Sequence, residues 1–188
     1  DKKDFSWYIP QTSFASVVPG VGNLLFPTVD MKASDDWDKI TGRLVSSYQI
    51  DDEQMVFASF STGYKSGGFD SLSPSTESFA PEDTTNVEFG YKAILWQEVV
   101  ANISVYYLEL DNLQRSVDSK PPGSAQAVPT IINEDREITG IEFDLNWRIT
   151  DSLVLGVVSE IRSTDNYSPE YHNGEGTLIA ATKTSSDA

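Results

Sequence analysis

The sequence predicts an all-β fold of antiparallel hairpins, and three observations carry that prediction. Apolar and polar residues alternate one for one in six separate segments, which puts successive side chains on opposite faces of a strand. The links between those segments are short and long by turns. No apolar stretch approaches the roughly 20 residues that a membrane-spanning helix needs, so any passage through a membrane would have to be made by strands.

Residues 1–40 open with Asp1-Lys2-Lys3-Asp4, run through Phe5-Ser6-Trp7-Tyr8-Ile9 into Pro10, and carry no signal-peptide pattern. The start reads as an internal cut and the stretch as a loop region. The first strand is expected over 42–50, with Leu44, Tyr48 and Ile50 on its apolar face and Arg43, Ser47 and Gln49 opposite. A short link, Asp51-Asp52-Glu53-Gln54, leads to a second over 55–64, where Val56, Ala58, Phe60 and Tyr64 alternate with Ser59 and Ser61. Such a link suits a tight hairpin.

The second hairpin pairs 85–93 with 99–107 across a turn around Trp96. Val87, Phe89, Tyr91 and Ala93 alternate with Asn86, Glu88, Gly90 and Lys92. On the return, Val99, Ala101, Ile103, Val105 and Tyr107 alternate with Asn102, Ser104 and Tyr106. The third pairs 139–148 with 153–161 across Ile149-Thr150-Asp151-Ser152. Ile141, Phe143, Leu145 and Trp147 face away from Gly140, Glu142, Asp144, Asn146 and Arg148, the cleanest alternation in the chain. Leu153, Leu155, Val157 and Ile161 oppose Gly156 and Glu160.

Between hairpins the connections are long and rich in Ser, Pro, Gly and acid. They are expected at 65–83 and 118–136, with a further loop or tail at 164–188. An aromatic followed by a polar residue precedes each short turn: Tyr48-Gln49, Tyr91-Lys92 and Trp147-Arg148. Transmembrane β-barrels have this layout, with short periplasmic turns, long extracellular loops and aromatic girdles at both interfaces. Residues 41–163 therefore read as barrel wall, with the turns near 52, 97 and 150 facing the periplasm and the remaining segments outside. A soluble β-sandwich also alternates and also takes aromatics into its core. Its connections, however, seldom exceed about 12–15 residues.

Composition narrows the function. The chain has 188 residues, 39% hydrophobic and 22% charged, which is too apolar and aromatic for a disordered chain. Acidic residues outnumber basic ones 29 to 13, for a formal charge of −16, and no Lys/Arg cluster stands ready to neutralise phosphates, so no nucleic-acid partner is expected. The absence of cysteine excludes disulfides, thiolate zinc sites and thiol catalysis. The excess acid fits solvated loops, or a lumen that attracts cations.

Five phrases, in order and spacing over roughly 40–160, resemble the barrel half of the TonB-dependent outer-membrane receptors. They are Ile40-Thr41-Gly42-Arg43-Leu44 leading to Ser47-Tyr48-Gln49; Phe57-Ala58-Ser59-Phe60-Ser61-Thr62-Gly63-Tyr64-Lys65-Ser66-Gly67-Gly68-Phe69; Pro81-Glu82 leading to Asn86-Val87-Glu88-Phe89-Gly90-Tyr91-Lys92; Tyr106-Tyr107 leading to Asn112-Leu113-Gln114; and Thr139-Gly140-Ile141-Glu142-Phe143-Asp144. The resemblance implies an outer-membrane barrel of about 22 strands closed by a plug. It also implies import of a scarce ligand, such as a ferric siderophore, with energy from the TonB complex. The expected partners are that ligand, outer-membrane lipid, the plug and TonB. Six strands cannot close such a barrel, so the expected fold is a transmembrane β-barrel segment of three hairpins, a partial barrel or open curved sheet. A passive porin-type channel and a soluble all-β glycan-binding module are the alternatives.

No enzymatic constellation is expected, and no cofactor. Lys65-Ser66-Gly67-Gly68-Phe69 is glycine-rich but lacks the ending of a phosphate loop. His172 is the single histidine, without triad or zinc partners in the sequence. Asp51-Asp52-Glu53 lacks the alternating oxygens of a calcium loop. Glu88, Glu142 and Asp144 are expected to line a wet interior beside Lys92 and Arg148, touching plug, water or ligand. Tyr64, Phe69, Asn86, Glu88, Asn112, Gln114 and Arg115, near the outer strand ends, are the expected ligand contacts.

Overall fold

The computed structural model describes residues 1–9, 12–14, 24–26, 29–70, 77–120 and 126–188. Its strands are β1 (Lys2–Ile9), β2 (Thr12–Phe14), β3 (Leu24–Phe26), β4 (Val29–Asp36), β5 (Arg43–Gln49), β6 (Gln54–Lys65), β7 (Glu82–Leu95), β8 (Val99–Ser119), β9 (Val128–Thr150), β10 (Leu153–Ser168), β11 (Tyr171–His172), β12 (Leu178–Ile179) and β13 (Thr182–Asp187). No helix occurs among the described residues.

Strands β5 to β10, followed by β13, form one seven-stranded antiparallel sheet in chain order, with β5 and β13 as its two open edges. The pairs β1–β4, β2–β3 and β11–β12 are separate two-stranded ribbons. The six expected strands and three hairpins are therefore present, in an unclosed sheet. At the β7–β8 turn the Glu98 N–H donates to the Leu95 carbonyl at 3.1 Å. Trp96 and Gln97 there have φ of 52° and 61°, the positive values that a type I′ hairpin turn requires and that glycine and asparagine usually supply.

Register turns each strand's alternation into rows across the sheet. One row joins Phe89, Val105, Ile141 and Ile161; the next joins Tyr48, Val56, Tyr91, Ile103 and Phe143; the last joins Leu95, Val99, Trp147 and Leu155. All lie on one face, and that face is open. Phe89 is 55% exposed and Ile161 69%, while the buried hydrophobic residues are Ala93 and Val99 alone among the described residues. A soluble sandwich would cover this face with a second layer and bury large side chains there. No such layer exists among the described residues.

The apolar face has a definite height. From Val87 to Leu95 on β7 the chain advances about 27 Å at ~3.4 Å per residue. At the ~35–45° tilt of barrel strands this becomes roughly 20 Å, close to the ~25 Å apolar band of a transmembrane barrel. A polar row of Thr62, Thr85, Glu109, Glu137 and Asp165 closes the band above.

Above that row β8, β9 and β10 continue, and here the structure departs from the expected loops. Strand β8 runs to Ser119 and β9 starts at Val128, so 118–119 and 128–136 of the expected 118–136 loop are strand, and 121–125 lie outside the described residues. In 65–83, Lys65 and Glu82–Asp83 belong to strands, Gly68 and Phe79 bridge, and 71–76 lie outside the described residues. Within 1–40, β1 and β4 pair from Lys2↔Asp36 to Ile9↔Val29. Within 164–188, β13 returns along β10. The upper ends of β8 and β9 carry polar residues on both faces and leave no alternation to read, whereas β1 and β4 do alternate, with Phe5, Trp7 and Ile9 against Asp4 and Ser6, and Val29, Met31 and Ala33 against Asp30, Lys32 and Ser34.

A bulge interrupts the β8–β9 ladder between Leu110 and Leu113. Asn112 sits there with φ 55°. Its N–H donates to Asp135 Oδ1 at 2.9 Å, and its carbonyl accepts from Asn133 Nδ2 at 2.7 Å. Asparagine tolerates this left-handed backbone better than most residues.

Candidate functional site

The face opposite the apolar band is where the polar alternates gather. One row joins Ser59, Glu88, Tyr106, Gly140 and Arg162; the next joins Phe57, Gly90, Ser104, Glu142 and Glu160; below them lie Lys92, Asn102 and Asp144. Two glycines shape it. A Cβ on Gly90 would stand 2.3 Å from the Phe57 ring, and one on Gly140 would stand 2.5 Å from the Tyr106 ring, so each aromatic lies flat across the neighbouring strand. Tyr106 thereby spans β9 and donates its hydroxyl proton to Glu160 on β10. Lys92 sits 5.2 Å over the Phe57 ring.

Between these rings the carboxylates frame two adjoining hollows. One, of about 200 Å³, is lined by Phe57, Glu88, Lys92, Asn102, Ser104, Glu142 and Asp144 among others. The second, of about 300 Å³, is lined by Asn86, Glu88, Tyr106, Leu108 and Glu142. Ser59 Oγ donates to Glu88 Oε2 at 3.4 Å, and Asn146 Nδ2 to Asp144 Oδ1 at 2.9 Å. Glu88, Glu142 and Asp144 line these hollows against Lys92, so the hollows favour cationic or hydrogen-bond-donating groups.

The seven residues expected as ligand contacts separate into three groups. Asn86 and Glu88 lie on this polar face, and Asn86 Oδ1 is buried without a hydrogen-bond partner among the described residues. Tyr64 pairs with Asp83 on β7 above the apolar band. Burial and then the nearby Asp83 charge push its phenol pKa upward.

The other four are engaged in holding the upper strands. Phe69 stacks on Phe5 at 5.4 Å and tilts against Trp37 at 6.4 Å, tying β1–β4 to the 66–81 connection. Gln114 Nε2 donates to the carbonyls of Ser66 and Ala80 at 2.9 and 3.2 Å, and its backbone N–H to Glu82 Oε2 at 3.1 Å. Arg115 Nε meets Glu134 Oε2 at 2.6 Å, and Asn112 forms the bulge. Glu134, 4% exposed, also accepts from Arg136 at 3.0 Å and from the Ser168 hydroxyl at 3.1 Å. Sequence reasoning missed this hub because it fell inside an expected loop. It also left Phe57, Tyr106 and Glu160 out of the candidate set; a glycine cross-strand from each aromatic was the available signal.

The sequence matches the family described as "TonB dependent receptor-like, beta-barrel" over residues 13–185. The chain belongs to that family. No curated protein matches it. Among solved structures it is similar to one titled "Copper transporter OprC", at 12% identity and a TM-score of 0.49, over 99% of this chain and 36% of that one. The chain thus spans about a third of that structure's length, and a likeness at this level supports no conclusion about ligand.

As TonB-dependent receptor wall, the chain is a piece of an outer-membrane β-barrel. Its two faces acquire their meaning from this. The apolar rows face hydrocarbon, and the rows of Glu88, Tyr106, Glu142 and Asp144 face the bore, as lumen faces of such barrels are polar.

Proposed function

We propose that this chain is part of the wall of a receptor that binds a scarce ligand at the cell surface and admits it when a plug is rearranged by the TonB complex. The observation that carries the reading is the division of one continuous sheet into an open apolar face and a polar face furnished with carboxylates and aromatic rings. The short turns at 50–53, 96–98 and 151–152 face the periplasm, and the extended ends of β8, β9 and β10 stand outside the cell. Asn86 and Glu88, joined by Tyr106 and Glu142, are the bore contacts for plug or ligand. Phe69, Asn112, Gln114 and Arg115 act by holding the outer strands in place. A ferric siderophore is one ligand of the expected kind; the acidic hollow favours a ligand that presents cationic or donor groups.

The test uses the full-length receptor in its outer membrane. Single cysteines at Phe89, Val105, Phe143 and Trp147 should react with a lipid-phase probe, and those at Ser104 and Glu142 should not. Absence of labelling at all four apolar positions would end the reading. Uptake of a panel of ferric siderophores should stop when TonB is removed, whereas uptake that persists would assign a passive channel. Glu88→Gln with Glu142→Gln should weaken binding or plug retention without unfolding the barrel.

A further inference from the structure

The lipid-facing wall is hollowed at its short-turn end. Leu95, Trp96, Glu98, Val99, Leu145 and Trp147 enclose a recess of about 370 Å³. Leu95, Val99 and Trp147 form one row across β7, β8 and β9, and Leu145 stands one step farther up the same face. Every wall of the recess except Glu98 is apolar. It is continuous with the face that meets hydrocarbon, and its volume sits at the lower end of the ~300–1,000 Å³ of small-ligand sites.

Trp96 is the unusual member. It is 81% exposed and holds a positive φ, a backbone state unfavourable for a bulky side chain. In water an indole so placed gains nothing to offset that cost. At a membrane interface the ring is covered by lipid while its N–H stays wet, which is where barrels place tryptophan. Charge then distinguishes among lipids. The three short turns expose Asp51, Asp52, Glu53, Glu98 and Asp151 against Arg148. This end of the wall attracts a headgroup bearing an ammonium and repels an anionic one.

We infer that the recess seats one acyl chain of a periplasmic-leaflet phospholipid whose headgroup carries a primary ammonium. The chain lies between Trp96 and Trp147, and the ammonium faces the Glu98 carboxylate. The inference rests on the orientation of the wall proposed above, and it adds a defined lipid site to a surface otherwise in contact with lipid at large.

The experiment places the full-length receptor in nanodiscs doped with phospholipids brominated on the acyl chain, carrying either an ethanolamine or a glycerol headgroup. Emission from Trp96 is taken as the difference between the parent and Trp96→Phe. Ethanolamine lipid should quench that emission more strongly, with an occupancy preference of about fivefold for one favourable charge. Glu98→Gln should abolish the headgroup preference, and Val99→Phe, which fills the recess, should lower quenching by both lipids. Equal quenching by the two headgroups, or a preference that survives Glu98→Gln, overturns the proposal. Phe89→Trp in the middle of the apolar band separates the two levels. If it is quenched while Trp96 is not, the lipid site fails and the wall stands; if neither is quenched, both fail.

Discussion

The lower and upper halves of the same strands are held by different forces. In the lower half few side chains tie strand to strand: Tyr106 donates to Glu160 and Tyr91 to Gln54, the latter at 2.6 Å, while Ser59–Glu88 at 3.4 Å and Asn102–Asp144 at 3.5 Å lie at the long limit of a hydrogen bond. The backbone ladder does the holding, because in hydrocarbon an unpaired N–H or C=O costs several kcal/mol and has no water to turn to. In the upper half Arg115–Glu134 at 2.6 Å, Arg136–Asn166 at 2.6 Å and Lys183–Asp165 at 2.9 Å pin strand to strand, and Gln114–Ser66 at 2.9 Å pins β8 to the 66–81 connection. No hydrocarbon shields the ladder there, so charged and amide side chains supply what hydrocarbon supplies below. One sheet thus solves two solvent problems, and the polar row from Thr62 to Asp165 marks the change.

The contrast breaks most visibly at Phe89. Phe89→Arg places a charge near mid-band and should cost about 2–4 kcal/mol of folding free energy in a bilayer. Glu88→Gln, one residue away on the bore face, should cost far less. Urea titration of the full-length receptor in lipid vesicles reads both, and equal costs would refute the assignment of faces. Next in size is Glu134→Ala, which strips Arg115 and Arg136 of their shared carboxylate and should cost roughly 2 kcal/mol locally. Hydrogen exchange should speed up over 113–119 and 130–136 while 87–93 stays protected; acceleration in both halves would mean that they are not separate.

Smaller effects sharpen the comparison. Gln114→Ala removes two hydrogen bonds to the 66–81 connection and should loosen it by about 1 kcal/mol. Faster proteolysis within that connection, with the barrel intact, is the expected result. The smallest effect concerns β13. Asp165, above the apolar band, is held below the usual carboxylate range by hydrogen bonds from Ser185 and then Lys183. Its contribution is complete above about pH 3.9 and is lost as pH falls through the lower folded value. Lys183 is held above the usual ammonium range by its hydrogen bonds to Tyr167 and Asp165, so its share is complete below about pH 10.4 and is lost as pH rises through the folded value. Protection of the β13 amides should therefore be flat between these limits and decline beyond either one. A decline near neutral pH would show that some other group ties β13 down.

The same division explains what was legible in the sequence. The six wall strands were readable because lipid on one side and water on the other force alternation, as in Ile141, Phe143, Leu145 and Trp147 against Glu142, Asp144, Asn146 and Arg148. Val128 to Glu137 forms an equally regular strand but has no hydrocarbon on either face, so polar residues fall on both, and Asn133, Glu134 and Asp135 follow one another and read as loop. The site was half legible for the same reason. Glu88 and Glu142 announced themselves by period, whereas the roles of Gln114 and Arg115 depend on Ser66, Ala80 and Glu134, contacts between segments that no local pattern records. The ring-over-glycine pairs Phe57–Gly90 and Tyr106–Gly140 needed the inter-strand register.

The bulge at Asn112 works like a phase slip in a wave. Leu110 stands opposite Arg136 but Leu113 stands opposite Glu134, so β8 spends one surplus residue there and its odd and even side chains exchange sides. Were β8 to run on without the slip, Asn112 would stand opposite Glu134 and Arg115 opposite Ile131, turned away from Glu134, leaving a carboxylate at the centre of the outer strands with half its positive company. A strand in better geometric order would make a worse-assembled molecule.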